Sequence, residues 1–329
     1  MRRLACIDIG TVTARLGVAE SEDGKVSRLA KTSTICDLGE GVAETGMLSE
    51  AAQDRVVSCV GGYLDAARSA GAEACCCTLT SAARDASNSD DLLRSLGSLG
   101  LTPEVIPGEV EGSLTFLGVA QDFPDSRILV ADNGGGSTEL ALGTRHIAGG
   151  TSLDLEWVRS VDVGCRRVTE LFLSKCDPPS ASDVSQARDY ARDLLHDALE
   201  SAPAPRPEGL VVVGGTATTL VAIDAALDPY DPTYVHLHRL DRTTVERLVN
   251  EMGELTLEER GCLVGLQPKR APVILAGSII ISELMGVTGM DELRVSESDL
   301  LMGLAIVGVS ALEGTRSPVG WQPTLATLR

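Results

Sequence analysis

Basic residues, aromatic residues and long apolar runs are all scarce in this 329-residue sequence. Lys and Arg number 28 against 47 Asp and Glu, which gives a net charge of −19. A surface of that charge repels polyanions at long range, whereas a nucleic-acid-binding protein needs a basic stripe. Aromatic residues make up only 3% of the chain, too few for a platform that stacks bases. Both shortages argue against a nucleic-acid-binding protein.

Membrane and export signals are also missing from the sequence pattern. No run of about 18 uncharged apolar residues occurs, so we expect no membrane span. An apolar segment follows Arg3, but Asp8 interrupts it too early for a signal peptide. The nine cysteines, three of them consecutive at 75–77, are typical of buried small side chains in a reducing compartment. We therefore expect a cytoplasmic protein.

The apolar residues alternate between the period of strands and the period of helices. Residues 4–9 and 14–19 have the composition of strands, whereas apolar residues recur at helical spacing through 49–69. Ser49 is suited to the N-cap of that helix. Alternating strands and helices predict an α/β fold. The length predicts two domains of about 150 residues each, and the polar segment 121–127 is the predicted hinge.

A unit of strand, glycine turn and strand occurs twice, which indicates a duplicated domain. Asp8 precedes the first turn, Asp132 precedes the second, and a third glycine turn at 214–216 follows another buried strand. Glycine lets backbone amides approach a phosphate, and an adjacent carboxylate can hold a magnesium ion that bridges phosphate oxygens. One such turn alone would be an ordinary hairpin. Three in matching contexts predict a phosphate clamp of the actin-like kind between two domains.

Two further segments leave their function open when each is taken alone. Residues 80–88, with hydroxyls and Arg84, fit an anion pocket or a capped surface loop. Glu109 and Glu111 begin a helix, where acids usually complement the helix dipole. A carboxylate that faces a phosphate cleft would instead activate water for hydrolysis.

Together these segments resemble the exopolyphosphatase / guanosine pentaphosphate phosphatase (Ppx/GppA) family. The segments that occur in the family's order are 5–11, 80–88, 108–112, 132–139 and 213–219. Residues 164–170 and 270–277 resemble the family's Gly-x-x-Arg-Leu-Thr-Glu and Arg-Ala-Asp-x-Ile-x-Ala-Gly motifs. The resemblance is to short members, and it implies two actin-like (ribonuclease H-like) ATPase-fold domains with an interdomain cleft. The expected bounds are 1–122 and 123–303, with a C-terminal helix at 304–329 on the first domain.

The resemblance also implies roles for individual residues. Glu111 matches the catalytic base, and Asp132 and Glu139 match acidic positions that join Asp8 as predicted ligands of Mg²⁺ or Mn²⁺. The predicted phosphate-binding residues are Gly10, Thr11, Thr13, Arg15, Ser81, Arg84, Gly134, Gly135, Gly136, Ser137, Thr138, Arg167, Gly214, Gly215 and Thr216.

The function that this resemblance implies is release of terminal orthophosphate from inorganic polyphosphate, with guanosine pentaphosphate as a second substrate. A homodimer is the expected assembly. The acidic surface has no basic track for a long chain, so short polyphosphates are the expected substrates. One alternative is a kinase or ATPase of the same fold, which would bind adenine and hydrolyse ATP. Another is a catalytically weak sensor of guanosine tetraphosphate.

Among the departures from the family pattern, Val12 and the segment 295–303 bear on the sensor alternative. Val12 stands where the first loop usually has an asparagine, and Pro272 replaces an aspartate. The segment 295–303 lacks the arginine and glutamate of the usual Leu-Arg-Glu-Gly. The predicted base and the main phosphate loop are unchanged, so hydrolysis remains the predicted function.

Overall fold

The structure is a computed structural model that describes residues 2–147 and 151–328. The described chain forms two compact units. The first contains residues 2–121 and 299–328 with a short piece at 151–153, and the second contains 122–147 and 154–298. The chain therefore passes from the first unit to the second and returns to the first at Asp299.

The strands and helices follow one another along both units. The strands are β1 (Arg2–Ile9), β2 (Thr13–Glu22), β3 (Lys25–Ile35), β4 (Ala74–Leu79), β5 (Pro103–Val105), β6 (Arg127–Asn133), β7 (Thr138–His146), β8 (Ser152–Val161), β9 (Gly209–Val213), β10 (Arg239–Asp241), β11 (Glu292–Val295) and β12 (Ala326–Thr327). The α-helices are α1 (Val42–Thr45), α2 (Glu50–Ser69), α3 (Ser81–Asp85), α4 (Ser89–Ser98), α5 (Gly108–Val119), α6 (Cys165–Val168), α7 (Ala181–Leu199), α8 (Gly215–Asp224), α9 (Pro232–Val235), α10 (Arg242–Glu254), α11 (Leu257–Arg260), α12 (Ala271–Thr288) and α13 (Leu300–Glu313). A π-helical turn (Thr169–Leu173) and a 3₁₀ turn (Pro268–Arg270) complete the set.

The two units repeat one sheet topology. In the first, the order is β3-β2-β1-β4, with β5 and β12 both pairing with β4. In the second, the order is β8-β7-β6-β9-β11-β10. In each sheet the opening strand pairs antiparallel with the next strand in sequence and parallel with a later one. The predicted α/β fold of two actin-like domains is confirmed.

The central strand β1 is apolar on both faces because helices cover both. Ala5, Ile7 and Ile9 belong to the core cluster that contains the buried face of α2, whereas Leu4 and Cys6 pack with α5 and α13. Strands covered on both faces read as continuous apolar runs rather than alternating ones. The three consecutive cysteines of β4 are buried in these same two clusters, as predicted for small apolar side chains.

Helix α2 begins where the sequence pattern predicts. The Ser49 side chain accepts a hydrogen bond from the amide of Ala52, which satisfies one amide of the first turn. Val56, Val60 and Leu64, at helical spacing, form its buried face in the first core. The cap and the apolar stripe together explain why this segment is a helix and how it is oriented on the sheet.

Helices α5 and α13 cross at two glycines within the first unit. A Cβ at Gly118 would lie 2.2 Å from the carbonyl oxygen of Asp299, and one at Gly303 would lie 1.9 Å from that of Leu114. Real side chains cannot occupy either place, so glycine lets the two backbones touch. This crossing holds the start of α13 against α5.

We expect Gly303→Ala to destabilise the protein, because α13 must shift away from Leu114 to admit the added methyl group. Overpacking of this kind typically costs about 1–3 kcal/mol, and a fall in the thermal unfolding midpoint would report it. Gly61→Ala in α2 is the matched control, since a Cβ there meets nothing within 4 Å and alanine favours a helix. An unchanged midpoint for Gly303→Ala would contradict the close crossing.

Among the described residues, the 3₁₀ turn and α12 together form one helix, Pro268–Thr288, that is long and apolar enough to cross a membrane by length and composition. In its most apolar window, 78% is buried inside the protein. Its Glu283 carboxylate accepts hydrogen bonds from Arg188 and Arg192 of α7. These features are typical of a core helix, and the helix occupies that place in the second unit.

Candidate functional site

The first glycine turn joins β1 to β2 in the first unit. Its geometry is fixed by a 3.0 Å hydrogen bond from the Gly10 amide to the carbonyl of Thr13. The segment 36–39 lies over the turn and donates amide hydrogen bonds to the carbonyls of Val12 and Thr11. The side chains of Thr11 and Val12 are both buried, and the Thr11 hydroxyl has no hydrogen-bond partner among the described residues. The turn thus carries an unsatisfied polar group.

A chain of alternating charges starts beside this turn. Asp8 and Arg15 face each other in the β1–β2 register, and Arg15 donates to Asp8 Oδ2 from Nε (2.9 Å) and Nη2 (2.7 Å). The third nitrogen, Nη1, donates to Asp299 Oδ2 at 2.8 Å. Lys31 Nζ donates to the other oxygen of Asp299 at 3.0 Å. The predicted phosphate ligand Arg15 is therefore held between two carboxylates.

The pKa values of Asp8 and Asp299 shift in opposite directions. Burial raises the pKa of Asp8, and the neighbouring Arg15 counteracts only part of that effect. Burial also disfavours the charged form of Asp299, but Lys31 and Arg15 outweigh it, so the pKa of Asp299 is lowered. Asp299 is thus a carboxylate at neutral pH. Asp8 Oδ1 is buried and has no hydrogen bond among the described residues.

Glu111 lies in the first turn of α5 and is 7% exposed. Its Oε2 accepts a 2.7 Å hydrogen bond from Arg84 Nη1, which also donates to the carbonyl of Ile106. Glu109, two residues earlier, is exposed. Helix-dipole acids usually point to solvent as Glu109 does, so the burial of Glu111 requires another explanation. The structure brings together two predicted site residues, Glu111 and Arg84.

Arg84 is positioned by a helix rather than a loop. Within the segment 80–88, which fits an anion pocket or a capped surface loop by sequence, Ser81–Asp85 form the short helix α3 directly after β4. Ser81, the first residue of α3, is buried, and its hydroxyl lies 3.4 Å from Asp85 Oδ2. Because the chain turns into a helix at the end of β4, Arg84 is directed toward the start of α5.

The main glycine loop, residues 134–136, joins β6 to β7 in the second unit. The amides of Cys165 and Arg166 donate to the carbonyls of Gly134 and Gly135, and Arg167 Nε donates to that of Gly136 at 2.9 Å. Gly164 has no room for a side chain, because a Cβ would overlap the backbone of Gly135. Arg167, predicted to bind phosphate, thus contacts the carbonyl side of this loop.

The residues after the loop are fixed by their side chains. The Thr138 hydroxyl donates to the carbonyl of Val163 at 2.5 Å. Glu139 Oε1 accepts hydrogen bonds from the hydroxyls of Ser137 and Ser160, each at 2.7 Å. Glu139 faces Asp132 in the β6–β7 register, the place that Arg15 takes opposite Asp8 in the first unit. The duplicated position is therefore basic in one unit and acidic in the other.

The third glycine turn lies against the second. Gly214 has a φ of 99°, and a Cβ there would lie 2.7 Å from the carbonyl oxygen of Asn133 and 3.3 Å from Asp132 Oδ1. A Cβ at Gly215 would overlap the guanidinium of Arg270. The remaining residue of the turn, Thr216, packs on Gly277 of α12. The second unit thus collects Asp132, two glycine turns and Arg270, a residue that the sequence analysis did not assign to the site.

The predicted metal ligands are divided between the units, with Asp8 in the first and Asp132 and Glu139 in the second. All three are buried. Within the described ranges, no group of three or more His, Cys, Asp or Glu residues could hold a metal ion. The described residues therefore offer Asp8 near the end of β1, and Asp132 and Glu139 facing each other on β6 and β7.

The chain is similar to known proteins over most of its length, in both units. A sequence profile of the Ppx/GppA phosphatase family matches residues 17–306. The chain is 32% identical to exopolyphosphatase 2 of Mycobacterium tuberculosis, with 93% of this chain and 98% of that protein covered. It is similar to the solved Aquifex aeolicus Ppx/GppA family member, with 31% identity, a TM-score of 0.77 and coverage of 96% and 99%. An exopolyphosphatase from Cytophaga hutchinsonii gives 25% identity, a TM-score of 0.83 and coverage of 97% and 100%.

Proposed function

The chain belongs to the Ppx/GppA phosphatase family, and from that premise we propose that it is an exopolyphosphatase that releases terminal orthophosphate from inorganic polyphosphate. The observation that carries the proposal is the buried Glu111, held by Arg84 at the start of α5. A buried carboxylate that a guanidinium orients suits a group that accepts a proton during hydrolysis. Similarity to proteins named exopolyphosphatase supports polyphosphate as the substrate.

Glu111 is proposed to act as the general base. A water oxygen forms a bond to the terminal phosphorus, and the bond from that phosphorus to the bridging oxygen breaks. The water proton passes to Glu111, and the shortened polyphosphate leaves with the bridging oxygen. Arg84 orients Glu111 through their 2.7 Å hydrogen bond, and its positive charge attracts a phosphate.

The terminal phosphate is proposed to be held by the amides of the glycine turns and by the predicted basic residues. The unsatisfied Thr11 hydroxyl supports this role for the first turn. A buried polar group without a partner is costly, and a ligand oxygen would satisfy it. Preorganised amides and hydroxyls at these turns would bind the phosphate without reorganising the backbone.

The acidic residues fit a hard cation such as Mg²⁺ or Mn²⁺. Asp8 Oδ1, buried and without a hydrogen bond among the described residues, is the kind of oxygen that such an ion takes. Asp8, Asp132 and Glu139 are the residues proposed to hold it. Mg²⁺ commonly binds one or two carboxylates together with substrate phosphates, so an all-protein cage is not required. When bound, the ion would offset the negative charge of the phosphates.

Polyphosphate hydrolysis is expected to need added Mg²⁺ or Mn²⁺, because Arg15 and Arg84 alone cannot offset the charge of the substrate phosphates. Excess chelator should abolish orthophosphate release, and added Mg²⁺ should restore it. Asp132→Asn is expected to raise the Mg²⁺ concentration that gives half-maximal release. Full activity in excess chelator would contradict the proposed role of the acids.

The substrate is proposed to be a short polyphosphate, with guanosine pentaphosphate as a weaker second substrate. A protein with a net charge of −19 repels a long polyanion along most of its surface. A phosphate-release screen across tripolyphosphate, longer chains, ATP and guanosine pentaphosphate tests this ranking. Fastest release from ATP would favour the kinase or ATPase alternative, and tight nucleotide binding without release would favour the sensor.

A further inference from the structure

The segment 295–303, where the chain departs from its family's Leu-Arg-Glu-Gly pattern, contains a carboxylate that contacts the predicted phosphate site. Asp299 lies just before α13 and is its N-cap, with Oδ1 accepting a hydrogen bond from the amide of Leu301. Its Oδ2 accepts from Arg15 Nη1 at 2.8 Å. The side chain of Asp299 is 15% exposed and that of Arg15 is 20% exposed. The ion pair is therefore largely shielded from water.

The guanidinium of Arg15 donates two hydrogen bonds to Asp8 and one to Asp299. Nε and Nη2 both donate to Asp8 Oδ2, and Asp8 itself is only 1% exposed. That carboxylate belongs to the central strand β1 and accepts two hydrogen bonds from Arg15. Asp299 instead holds Nη1 from a helix end. A phosphate that takes Arg15 Nη1 along the line of its bond to Asp299 therefore displaces Asp299, and the two bonds from Arg15 to Asp8 can be kept.

Resting on the proposed function, we propose that Asp299 is an internal competitor of the substrate: its carboxylate binds Arg15 Nη1, and the terminal phosphate displaces it on binding. A carboxylate and a phosphate oxygen make the same charge-assisted hydrogen bond to a guanidinium. Asp299 thereby weakens binding of both substrate and product phosphate. It is a positioning residue that acts through Arg15.

Lys31 makes the exchange feasible. Its Nζ donates to Asp299 Oδ1 at 3.0 Å, so the displaced carboxylate keeps a cationic partner. The hydrogen bond from the Leu301 amide, which caps α13, uses that same oxygen and is not lost when Arg15 turns to phosphate. The lowered pKa of Asp299 is consistent with a carboxylate that stays charged throughout.

The test is calorimetric titration with orthophosphate, in Mg²⁺-containing buffer, of the wild type, Asp299→Asn, Arg15→Gln and the double variant. Asparagine can still cap α13, so the fold should be kept. We expect Asp299→Asn to bind orthophosphate about tenfold more tightly, the size of one charge-assisted hydrogen bond. Arg15→Gln should bind more weakly than wild type, and adding Asp299→Asn to it should give no gain. In turnover, Asp299→Asn should lower KM for polyphosphate without raising kcat.

Two controls separate this competition from other effects. Asp65→Asn removes the same charge from an exposed site on α2 and should leave the Kd for orthophosphate unchanged. Asp299→Ser, which also caps a helix, should tighten binding as Asp299→Asn does, even if asparagine perturbs Arg15 by placing a donor beside it. Equal or weaker orthophosphate binding by both Asp299 variants would overturn the inference.

The result for Arg15→Gln distinguishes failure of the inference from failure of the proposed function. If Arg15→Gln binds orthophosphate as the wild type does, Arg15 is not a phosphate ligand and the inference is overturned. The exopolyphosphatase proposal would still stand if the wild type releases orthophosphate from polyphosphate in the same preparation.

Discussion

Glu111→Gln is expected to lower kcat for polyphosphate hydrolysis by about 100- to 10,000-fold, the usual loss when a general base is removed. Glutamine keeps the size of the side chain and can still accept a hydrogen bond from Arg84. It cannot take a proton from water at neutral pH. Orthophosphate release measured at saturating substrate would report the loss directly.

Glu109→Gln is the matched control for this change. Both acids lie in the first turn of α5, but Glu109 is exposed whereas Glu111 is buried. Loss of either charge weakens the interaction with the helix dipole to a similar small extent. We therefore expect Glu109→Gln to retain nearly full activity. If Glu111→Gln turns over polyphosphate within about threefold of wild type, Glu111 is not the base.

Glu283→Ala is expected to destabilise the second unit by about 3 kcal/mol, the range for removing one partner of a buried ion pair. Glu283 Oε1 and Oε2 accept hydrogen bonds from Arg188 (2.7 Å) and Arg192 (2.8 Å), and its side chain is 9% exposed. Its loss leaves Arg188 with Glu246 as its remaining carboxylate partner. The thermal unfolding midpoint should fall by about 6–12 °C.

Glu251→Ala provides the comparison for Glu283→Ala. Glu251 pairs with Arg247 one turn away on α10, and both side chains are about half exposed. Exposed pairs of this kind contribute about 0.3–0.5 kcal/mol, so its midpoint should barely change. Equal shifts for the two variants would show that the buried network does not stabilise the unit.

Acid should weaken the same network. Burial disfavours the charged form of Glu246, but hydrogen bonds from Arg188 and Ser282 outweigh it and lower its pKa below the usual 4.5. A lowered folded-state pKa contributes stability that is present above the unfolded value. That stability is lost as the pH falls through the folded value. Glu246→Gln should therefore flatten the fall in unfolding midpoint below about pH 4.5.

Much of the fold could be predicted from periodicity and from the repeated strand-turn-strand unit. The Ser49 cap and the apolar stripe of α2 are local signals, and the structure confirms both. Strand β8 was not predicted, although Leu153, Leu155 and Trp157 alternate with polar residues along it. It lies at the edge of its sheet and is mostly exposed or half-buried, so its residues lack the apolar density that marked the central strands.

The site was less predictable because its contacts join residues that are distant in sequence. The pairing of Arg84 with Glu111 depends on α3 and on the start of α5, and no spacing rule connects the two. Arg270 and Lys31 were not assigned to the site at all. Arg270 stood in a stretch already noted for its resemblance, which was the available signal. Lys31 lies on the mostly exposed strand β3, and only its contact with Asp299, 268 residues later, connects it to the site.

The most direct measurement of the central claim is a ³¹P NMR time course of a defined short polyphosphate incubated with the protein and Mg²⁺. An exopolyphosphatase removes one terminal phosphate at a time, so the orthophosphate signal should grow while the ratio of internal to terminal phosphates falls steadily. The Glu111→Gln protein should leave the spectrum nearly unchanged over the same period. An unchanged spectrum with the wild-type protein, or cleavage into mid-length fragments without orthophosphate, would contradict the account.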